Sequence, residues 1–327
     1  MFLMTAEIKI GSFKPFAPNA VSWSRSIDNY SDSAIIKVPA IARLRREGDS
    51  YENLQTGQQF KEGMATEVLC GYDGNNLRRF KGFVKRVNFS VPLEIECEGY
   101  SYQLRKKEGY TASYGATTVK KILTDLVADT DIVLSDLIPD VPLKNIFFKN
   151  VKGTDVLDYL KEKCLLTVYF NYNVLYAGLK MTEVKSTARY RLNWNTIKDN
   201  ELKFDSGREL ATVNIQVEKR LKDGTKRKAK DGVKDGSVKV LKVRHIDDEA
   251  LLKKIAEEER QKLLHKGYEG AVTAFLIPYA EPGMACSIDD IRYPERTGVY
   301  FIEKVDGSFS TNGGRQKIGI GALLSNG

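Results

Sequence analysis

Short segments in which apolar and polar residues alternate recur through the first hundred residues of this chain. Alternation with a period of two places every second side chain on the same side of an extended backbone, which is typical of a half-buried β-strand. Many short strands at close spacing, separated by turn-forming residues, favour an antiparallel barrel or sandwich. The alternating segments cover residues 7–10, 33–38, 66–70, 80–87 and 93–97.

The pattern changes to a helical period after about one third of the chain. Thr117 and Thr118 can cap a helix over residues 119 to about 128, because apolar residues recur there at intervals of three and four. A second helix is predicted to open at Thr154 and Asp155, and a strand hairpin follows over residues 165–179. These elements predict a small α/β module inserted between β-rich parts.

Strand-like alternation returns in the last third of the chain. Residues 218–239 carry most of the charge asymmetry and contain three Asp-Gly turns, so they predict a long hairpin with a basic tip. Apolar residues at helical spacing predict a helix over residues 247–266, which Gly267 would end. Further strands are predicted from there to the last residues.

These patterns divide the 327 residues into three predicted domains. We expect a first β-barrel domain over residues 1–108, a small α/β insert over residues 109–187 and a second β-barrel domain over residues 188–327. The basic hairpin and the helix of residues 247–266 belong to the last domain. The predicted fold class is therefore mainly β with an α+β insert, built from two antiparallel β-barrels, a small α/β module and one long helix.

Composition is that of an ordinary globular protein, with 42% hydrophobic residues and no apolar run of the roughly 18 residues that span a bilayer. The first residues lack the basic start and apolar core of a secretory signal, so we expect no membrane anchor. The cysteines are far apart, so we expect reduced thiols in the core and no metal site. They are Cys70, Cys97, Cys164 and Cys286.

Residues that could carry catalysis are few. The two histidines, His245 and His265, flank the predicted helix and lie in no metal-binding motif, so we expect solvated or capping roles. Asp289 and Asp290 form a carboxylate pair in a strand-and-turn context, but no histidine or nucleotide-binding motif accompanies them. We therefore expect no enzymatic activity and no cofactor.

The basic hairpin carries an interaction signal. The chain has 51 lysines and arginines against 43 acidic residues, and most of this excess lies there. A solubilised tip, a contact with another protein and nucleic-acid binding remain open, and nucleic acid ranks last because the hairpin has no aromatic residue for base stacking. The candidate contact residues are Lys219, Arg220, Lys222, Lys226, Arg227, Lys228, Lys230 and Lys234.

Three groups of segments carry a likeness to a known family. Residues 21–39 form a run of predicted opening strands, and a Phe-x-Gly step at residues 80–84 precedes the segment of residues 93–104. The third group of predicted strands contains residues 282–283, 298–305 and 315–316. Together these segments resemble the phage tail baseplate hub family. That family includes late control protein D and the T4-type hub, and it is related to the hub part of type VI secretion spike proteins.

The resemblance implies a homotrimer whose subunits each contribute two tail-tube-like barrels. Three such subunits would form a pseudo-sixfold ring that adapts a hexameric tail tube to a trimeric spike. The implied partners are further copies of the chain, a tail tube protein, a separate spike protein and other baseplate proteins. The implied location is a virion tail baseplate or an injection-system particle, assembled in the bacterial cytoplasm. Strands at the barrel rims are expected to pair across subunits, because unpaired edges promote aggregation.

Two other functions remain open at this point. A basic β-barrel that binds nucleic acid through the hairpin would lose affinity steeply with rising salt. A carbohydrate-active enzyme on a β-scaffold would lose its activity when Asp289 or Asp290 is substituted. Neither explains why one chain would carry two related β-domains, whereas a structural hub does.

Overall fold

The computed structural model describes residues 3–13, 15–45, 51–180, 184, 186–205, 213–220, 226–231, 237–242, 246, 249–263 and 267–326. Strands account for 55% of these residues and helices for 16%, so the predicted mainly β fold with a small helical part is confirmed.

The N-terminal part of the described chain consists of strands and one helical turn. They are β1 (Met4–Ile10), β2 (Ala20–Ser26), β3 (Ser33–Val38), β4 (Ile41–Arg45), β5 (Tyr51–Gln55), a 3-10 turn (Thr56–Gln58), β6 (Ala65–Tyr72), β7 (Asn75–Asn88) and β8 (Leu93–Glu98).

The middle part mixes helices and strands, and it contains both predicted helices and the predicted hairpin. The Thr118 side chain caps the first of those helices by accepting a 3.2 Å hydrogen bond from the backbone N–H of Lys121. The elements are α1 (Ser101–Lys106), β9 (Tyr110–Thr118), α2 (Val119–Val127), β10 (Val133–Leu134), β11 (Pro142–Val151), α3 (Gly153–Lys163), β12 (Thr167–Asn171) and β13 (Val174–Gly178).

The C-terminal part is again rich in strands. Its elements are β14 (Thr187–Arg191), β15 (Thr196–Lys198), β16 (Lys203–Asp205), β17 (Val213–Arg220), β18 (Lys226–Asp231), β19 (Ser237–Lys242), α4 (Glu249–Leu263), β20 (Gly267–Ala274), β21 (Ala285–Asp289), a 3-10 turn (Pro294–Arg296), β22 (Gly298–Ser310) and β23 (Gly313–Asn326).

One 13-stranded sheet connects the N-terminal and C-terminal parts, and it contains the same strand order twice. The N-terminal half runs β1-β6-β7-β8-β3-β2, and the C-terminal half runs β14-β21-β22-β23-β20-β15. When only the strands of this sheet are numbered along the chain, with β15 and β16 counted as one, both orders are first, fourth, fifth, sixth, third, second. One pairing differs, because β1 is antiparallel to β6 whereas β14 is parallel to β21. The two halves therefore share one strand order and differ in the direction of the first strand.

The first strand of each half also repeats in sequence. Residues 5–10 are TAEIKI, and residues 187–192 are TARYRL. Each of these segments is followed by a residue with a positive φ, at 54° for Gly11 and 65° for Asn193. Gly and Asn are the residue types that adopt this conformation most readily.

A second repeat marks the entry to the fourth strand of each half. The sequence Gly-Met-Ala occurs at residues 63–65 and again at residues 283–285. The Met64 carbonyl accepts a 2.8 Å hydrogen bond from Val84, and the Met284 carbonyl accepts a 2.9 Å bond from Ile302. Val84 and Ile302 therefore occupy equivalent positions in the two halves.

A β-bulge follows each of these equivalent positions. The register of β7 against β8 shifts between Val84 and Arg86, and the register of β22 against β23 shifts between Ile302 and Lys304. A bulge adds a residue to one strand and bends it. The bulges therefore bend β7 and β22 at equivalent positions.

Strand β2 joins the halves by pairing with the part of β22 that lies beyond its bulge. Seven antiparallel pairs run from Ala20 opposite Ser310 to Ser26 opposite Lys304. The two predicted barrels are therefore not separate bodies: their strands lie in one sheet, and no sheet closes on itself in the described part of the chain. Alternation within each strand could not show this, because it does not encode which strands become neighbours.

Three clusters of buried apolar side chains form the core. One lies among the N-terminal strands and also contains Leu276, and another lies among the C-terminal strands. The third fills the middle part and extends to β17, β18 and α4 through residues such as Ile215, Val217 and Leu252. The basic hairpin and α4 thus pack on the middle part, while the predicted domain boundaries themselves stay a prediction.

The basic segment forms a hairpin, but its second arm, β18, lies within residues 218–239 rather than after them. β17 pairs antiparallel with β18, whose residues are themselves largely basic, and parallel with β19 on its other side. The single buried apolar residue of β18 is Ala229, which faces the core. Ala229 therefore adds an apolar contact with the core to the backbone pairing of β18 with β17.

All four cysteines are free and buried, as predicted. Burial raises the pKa of each thiol to about 12. None of the helices in the described ranges is both long and apolar enough to cross a membrane.

The close contact of Trp23 with Gly307 at the junction generates a prediction. A Cβ atom at Gly307 would overlap the indole ring, which is 4% exposed and has little room to move. Gly307→Ala should therefore lower the free energy of unfolding by about 1–3 kcal/mol, measured by urea denaturation. Gly115→Ala is the control, because its Cβ would meet no atom within 4 Å. Equal losses in both variants would contradict the packing described.

Candidate functional site

Six of the eight predicted contact residues lie on two neighbouring strands. Lys219 and Arg220 are on β17, and four others are on β18. The register places Lys219 opposite Arg227 and Arg220 opposite Lys226. Like charges at directly opposite positions destabilise a strand pair. Lys222 and Lys234 lie outside the described residues, as do His245 and His265.

Two ion pairs and a hydrogen bond hold this basic strand pair in place. Glu218 is 8% exposed and pairs with the Lys228 ammonium at 3.4 Å, and its carboxylate also accepts a hydrogen bond from Gln216. Arg260 on α4 pairs with Asp231 at 3.4 Å. Lys228 and Lys230 are exposed to solvent. The hairpin therefore presents positive charge on a supported strand.

A second polar cluster, which we call the junction cluster, surrounds the buried guanidinium of Arg25 on β2. Three acceptors from different parts of the chain receive its hydrogen bonds: Asp32 at 3.3 Å, Asn171 at 2.8 Å and Glu281 at 3.4 Å. The planar guanidinium has five N–H donors, so it can serve all three. Arg25 thus ties the N-terminal, middle and C-terminal parts together.

Two tyrosines complete the junction cluster. The Arg25 guanidinium lies 4.0 Å from the centre of the Tyr172 ring, and the Arg79 guanidinium lies 4.9 Å from that of Tyr279. The two phenol oxygens are 2.7 Å apart, and the Tyr279 hydroxyl donates to Glu281 at 2.8 Å. Cation–π contacts of this kind strengthen where water is excluded.

The charge balance of the junction cluster follows from its burial. Burial raises the pKa of Asp32 to about 6, although the positive charge of Arg25 opposes the rise. Burial also raises the pKa of Tyr172, so its hydroxyl stays protonated at neutral pH. The cluster contains partnered arginines, carboxylates and phenols, which makes it suited to fixing the relative positions of the three parts.

Sequence reasoning missed the junction cluster, although one signal was present. Val21, Trp23 and Arg25 alternate with serines, and all three point to the buried side of β2. A charged residue in phase with a buried apolar stripe is rarely solvent-exposed, so the period-two pattern could have marked Arg25 as a buried charge that needs partners.

The predicted carboxylate pair does not form a single site. Asp290 is 2% exposed and accepts backbone N–H groups of Arg292 at 2.9 Å and Tyr293 at 3.3 Å. The Asp289 side chain is largely exposed and faces Arg191 at 3.5 Å. Asp290 therefore holds a turn. Among the described residues, no group of three or more His, Cys, Asp or Glu side chains could hold a metal ion.

Comparison with known proteins by sequence finds no match, either to a protein family or to a curated protein. Comparison of the fold finds matches among solved structures. A tail protein from Neisseria meningitidis MC58 matches with a TM-score of 0.68 at 14% identity, over 98% of this chain and 96% of that protein. The 43 kDa tail protein of prophage MuSo2 from Shewanella oneidensis matches with a TM-score of 0.68 at 13% identity, over 98% of both chains.

The same fold occurs in a secretion system. An E. coli component of the type VI secretion system, described as structurally similar to the T4 tail proteins gp27 and gp5, matches with a TM-score of 0.61. The identity is 10%, over 97% of this chain and 77% of that protein. The chain thus has the fold of phage tail proteins and their type VI relatives, and the resemblance drawn from the sequence is confirmed for the fold.

The contacts of Arg25 generate a prediction about stability. Arg25→Ala removes the positive charge that faces the Asp32 and Glu281 carboxylates, together with a donor to Asn171, so it should lower the free energy of unfolding by about 3–5 kcal/mol. Arg191→Ala is the control, because that side chain is 51% exposed in its pair with Asp289 and should contribute about 0–1 kcal/mol. Urea denaturation of both variants measures the difference. A similar loss of unfolding free energy in each would show that Arg25 does not hold the three parts of the chain together.

Proposed function

We propose that this chain is a structural hub protein of a phage tail baseplate or a related contractile injection system. The duplicated six-stranded order within one sheet is the observation that carries the proposal. A chain with two like halves presents two similar surfaces, so three copies present six. A ring of three copies can therefore contact a hexameric tube on one side and a trimeric spike on the other.

The fold comparisons support the same assignment. The matched proteins are described as tail proteins or as a type VI secretion component. A further match, with a TM-score of 0.56 at 11% identity, is to a structure of a PdpA–VgrG complex, in which this chain covers 66% of the matched chain. We propose by analogy that this chain assembles with a separate spike protein, a tail tube protein and other baseplate proteins.

The chemistry of the described residues agrees with a structural role. The junction cluster fixes the parts of the chain relative to one another, and Asp290 is engaged in a turn. We propose that the protein has no enzymatic activity and works in the virion tail baseplate or the injection-system particle, after assembly in the bacterial cytoplasm.

The proposal is tested by the mass of the assembled protein. Native mass spectrometry of the purified chain, alone and mixed with candidate tube and spike proteins, should show three copies of the chain in a complex. A chain that stays monomeric in every mixture would contradict the hub. A chain that instead binds duplex DNA, with affinity falling steeply as salt rises, would favour a nucleic-acid-binding protein.

The basic hairpin is proposed as a contact for an acidic surface of a neighbouring particle protein. The variant Lys230→Glu should weaken that association about threefold at low salt, because it reverses an exposed charge while the Lys228–Glu218 pair stays intact. The matched control is Lys149→Glu, which changes net charge equally on an exposed strand residue elsewhere. Light scattering of the mixed components measures assembly, and equal effects in both variants would refute a specific hairpin contact.

A further inference from the structure

The proposed ring leaves open which strands join one copy to the next, and the duplicated halves supply an answer. The inference rests on the proposed function, since it assumes a ring of like copies. Within the chain, the second strand of the N-terminal half, β2, pairs with the fifth strand of the C-terminal half, β22. The converse pair would join the second strand of the C-terminal half in one copy to the fifth strand of the N-terminal half in another copy.

The second strand of the C-terminal half is the interrupted strand formed by β15 and β16. Both pair antiparallel with β20, from Thr196 opposite Ala274 to Asp205 opposite Gly267. On the side away from β20 neither has a strand partner among the described residues. The edge of residues 196–205 therefore corresponds to the edge of β2 that covers β22.

The fifth strand of the N-terminal half is β7, and it has a matching uncovered stretch. In β22, the residues after the bulge are the ones that β2 covers. In β7, the residues after the equivalent bulge are Arg86, Val87 and Asn88, which pair with β8 on one side. On the other side no strand covers them in the described part of the chain.

The register of the converse pair follows from the equivalence of Val84 and Ile302. The N-terminal half has the ladder Val84, Cys97, Ala34 and Trp23. The C-terminal half has the ladder Ile302, Ile320 and Gly270, and Leu202 comes opposite Gly270 because Lys203 pairs with Glu269. Leu202 is therefore the counterpart of Trp23.

Carrying this register across gives a specific set of opposed residues. Within the chain, Ser24 is opposite Asp306, Arg25 is opposite Val305 and Ser26 is opposite Lys304. The counterparts between copies are Lys203 opposite Asn88, Phe204 opposite Val87 and Asp205 opposite Arg86. The pair of Phe204 with Val87 is apolar.

Exposed apolar side chains lie where this pairing would cover them. Phe204 is 54% exposed, and Phe89, next along the chain from Asn88, is 79% exposed. Phe89 corresponds to Gly307, the residue against which Trp23 is buried within the chain. Large exposed apolar side chains beside an unpaired strand edge mark a site of association.

We propose that the edge of residues 196–205 in one copy pairs antiparallel with Arg86–Asn88 of β7 in the next copy. The partner is a second copy of this chain. Three such contacts alternate with the three β2–β22 junctions inside the chains, so the sheet continues around a ring. The two kinds of contact differ, because β2 pairs through seven residues whereas β15 and β16 are short and interrupted.

Cysteine cross-linking of the purified full chain tests this register. The double variant Asn88→Cys and Lys203→Cys should give covalent dimers and trimers with a short bismaleimide. The four native cysteines are buried with thiols of raised pKa, so they should not compete. An equimolar mixture of the two single variants should give dimers without trimers, because each chain then has one reactive site.

Two matched variants calibrate the result. Ser24→Cys with Asp306→Cys is the corresponding pair inside the chain and should cross-link within one molecule. Asn88→Cys with Lys198→Cys moves one thiol from opposite Glu269 to opposite Thr273 of β20, which is roughly 13 Å at the strand rise, and should give about fivefold less cross-linked chain. Native mass spectrometry of each variant reports the number of copies independently.

The outcomes separate this inference from the hub proposal. Trimers by mass with cross-linking specific to Asn88 and Lys203 support both. Trimers by mass without that cross-link overturn the strand pairing but not the ring. Trimers that cross-link equally well in the Asn88→Cys, Lys198→Cys variant do the same. Monomers at every concentration and in every mixture, with no cross-link between chains, overturn both.

Discussion

The pairing of β2 with β22 is the interaction on which the rest of the structure depends. It joins residues 20–26 to residues 304–310, so nearly the whole chain lies between two strands that are neighbours in space. Closing so large a loop costs conformational entropy, which the buried contacts at the junction offset. Trp23 packs on Gly307, and Arg25 reaches acceptors in three parts of the chain. A single strand therefore positions both halves of the sheet and the middle part.

The fifth strand has an equivalent bulge in both halves, but another strand of the chain pairs beyond that bulge only in the C-terminal half. In each half the fifth strand bulges after the same position, and the bulge directs the following residues to an edge that another strand can cover. In the C-terminal half that edge is covered by β2 of the same chain. In the N-terminal half, Arg86–Asn88 have no such strand within the described chain. Backbone groups at a sheet edge gain hydrogen bonds when another strand pairs with them, which gives this asymmetry a physical consequence for assembly.

The candidate functional residues divide into those that local sequence marks and those that it does not. The basic hairpin was found because charge density is a local property, and its register adds like charges opposite each other at Lys219 and Arg227. The junction cluster was missed because Arg25, Asn171 and Glu281 are far apart in sequence and only the fold brings them together. Asp289 and Asp290 have different partners, since adjacent residues in a strand and turn point in different directions. Burial, which decides their roles, is not a local property.

The sequence by itself determined the mainly β class, the helices after Thr118 and near Thr154, the hairpin of β12 and β13, and the burial of the four cysteines. Each of these depends on periodicity, capping or turn chemistry within a few residues. Only the tertiary structure decided that both β-rich parts share one sheet, that their strand orders are the same, and that the basic hairpin packs on the middle part. Strand pairing depends on which edges meet, and a pattern of alternating residues specifies a face of each strand but not its neighbour.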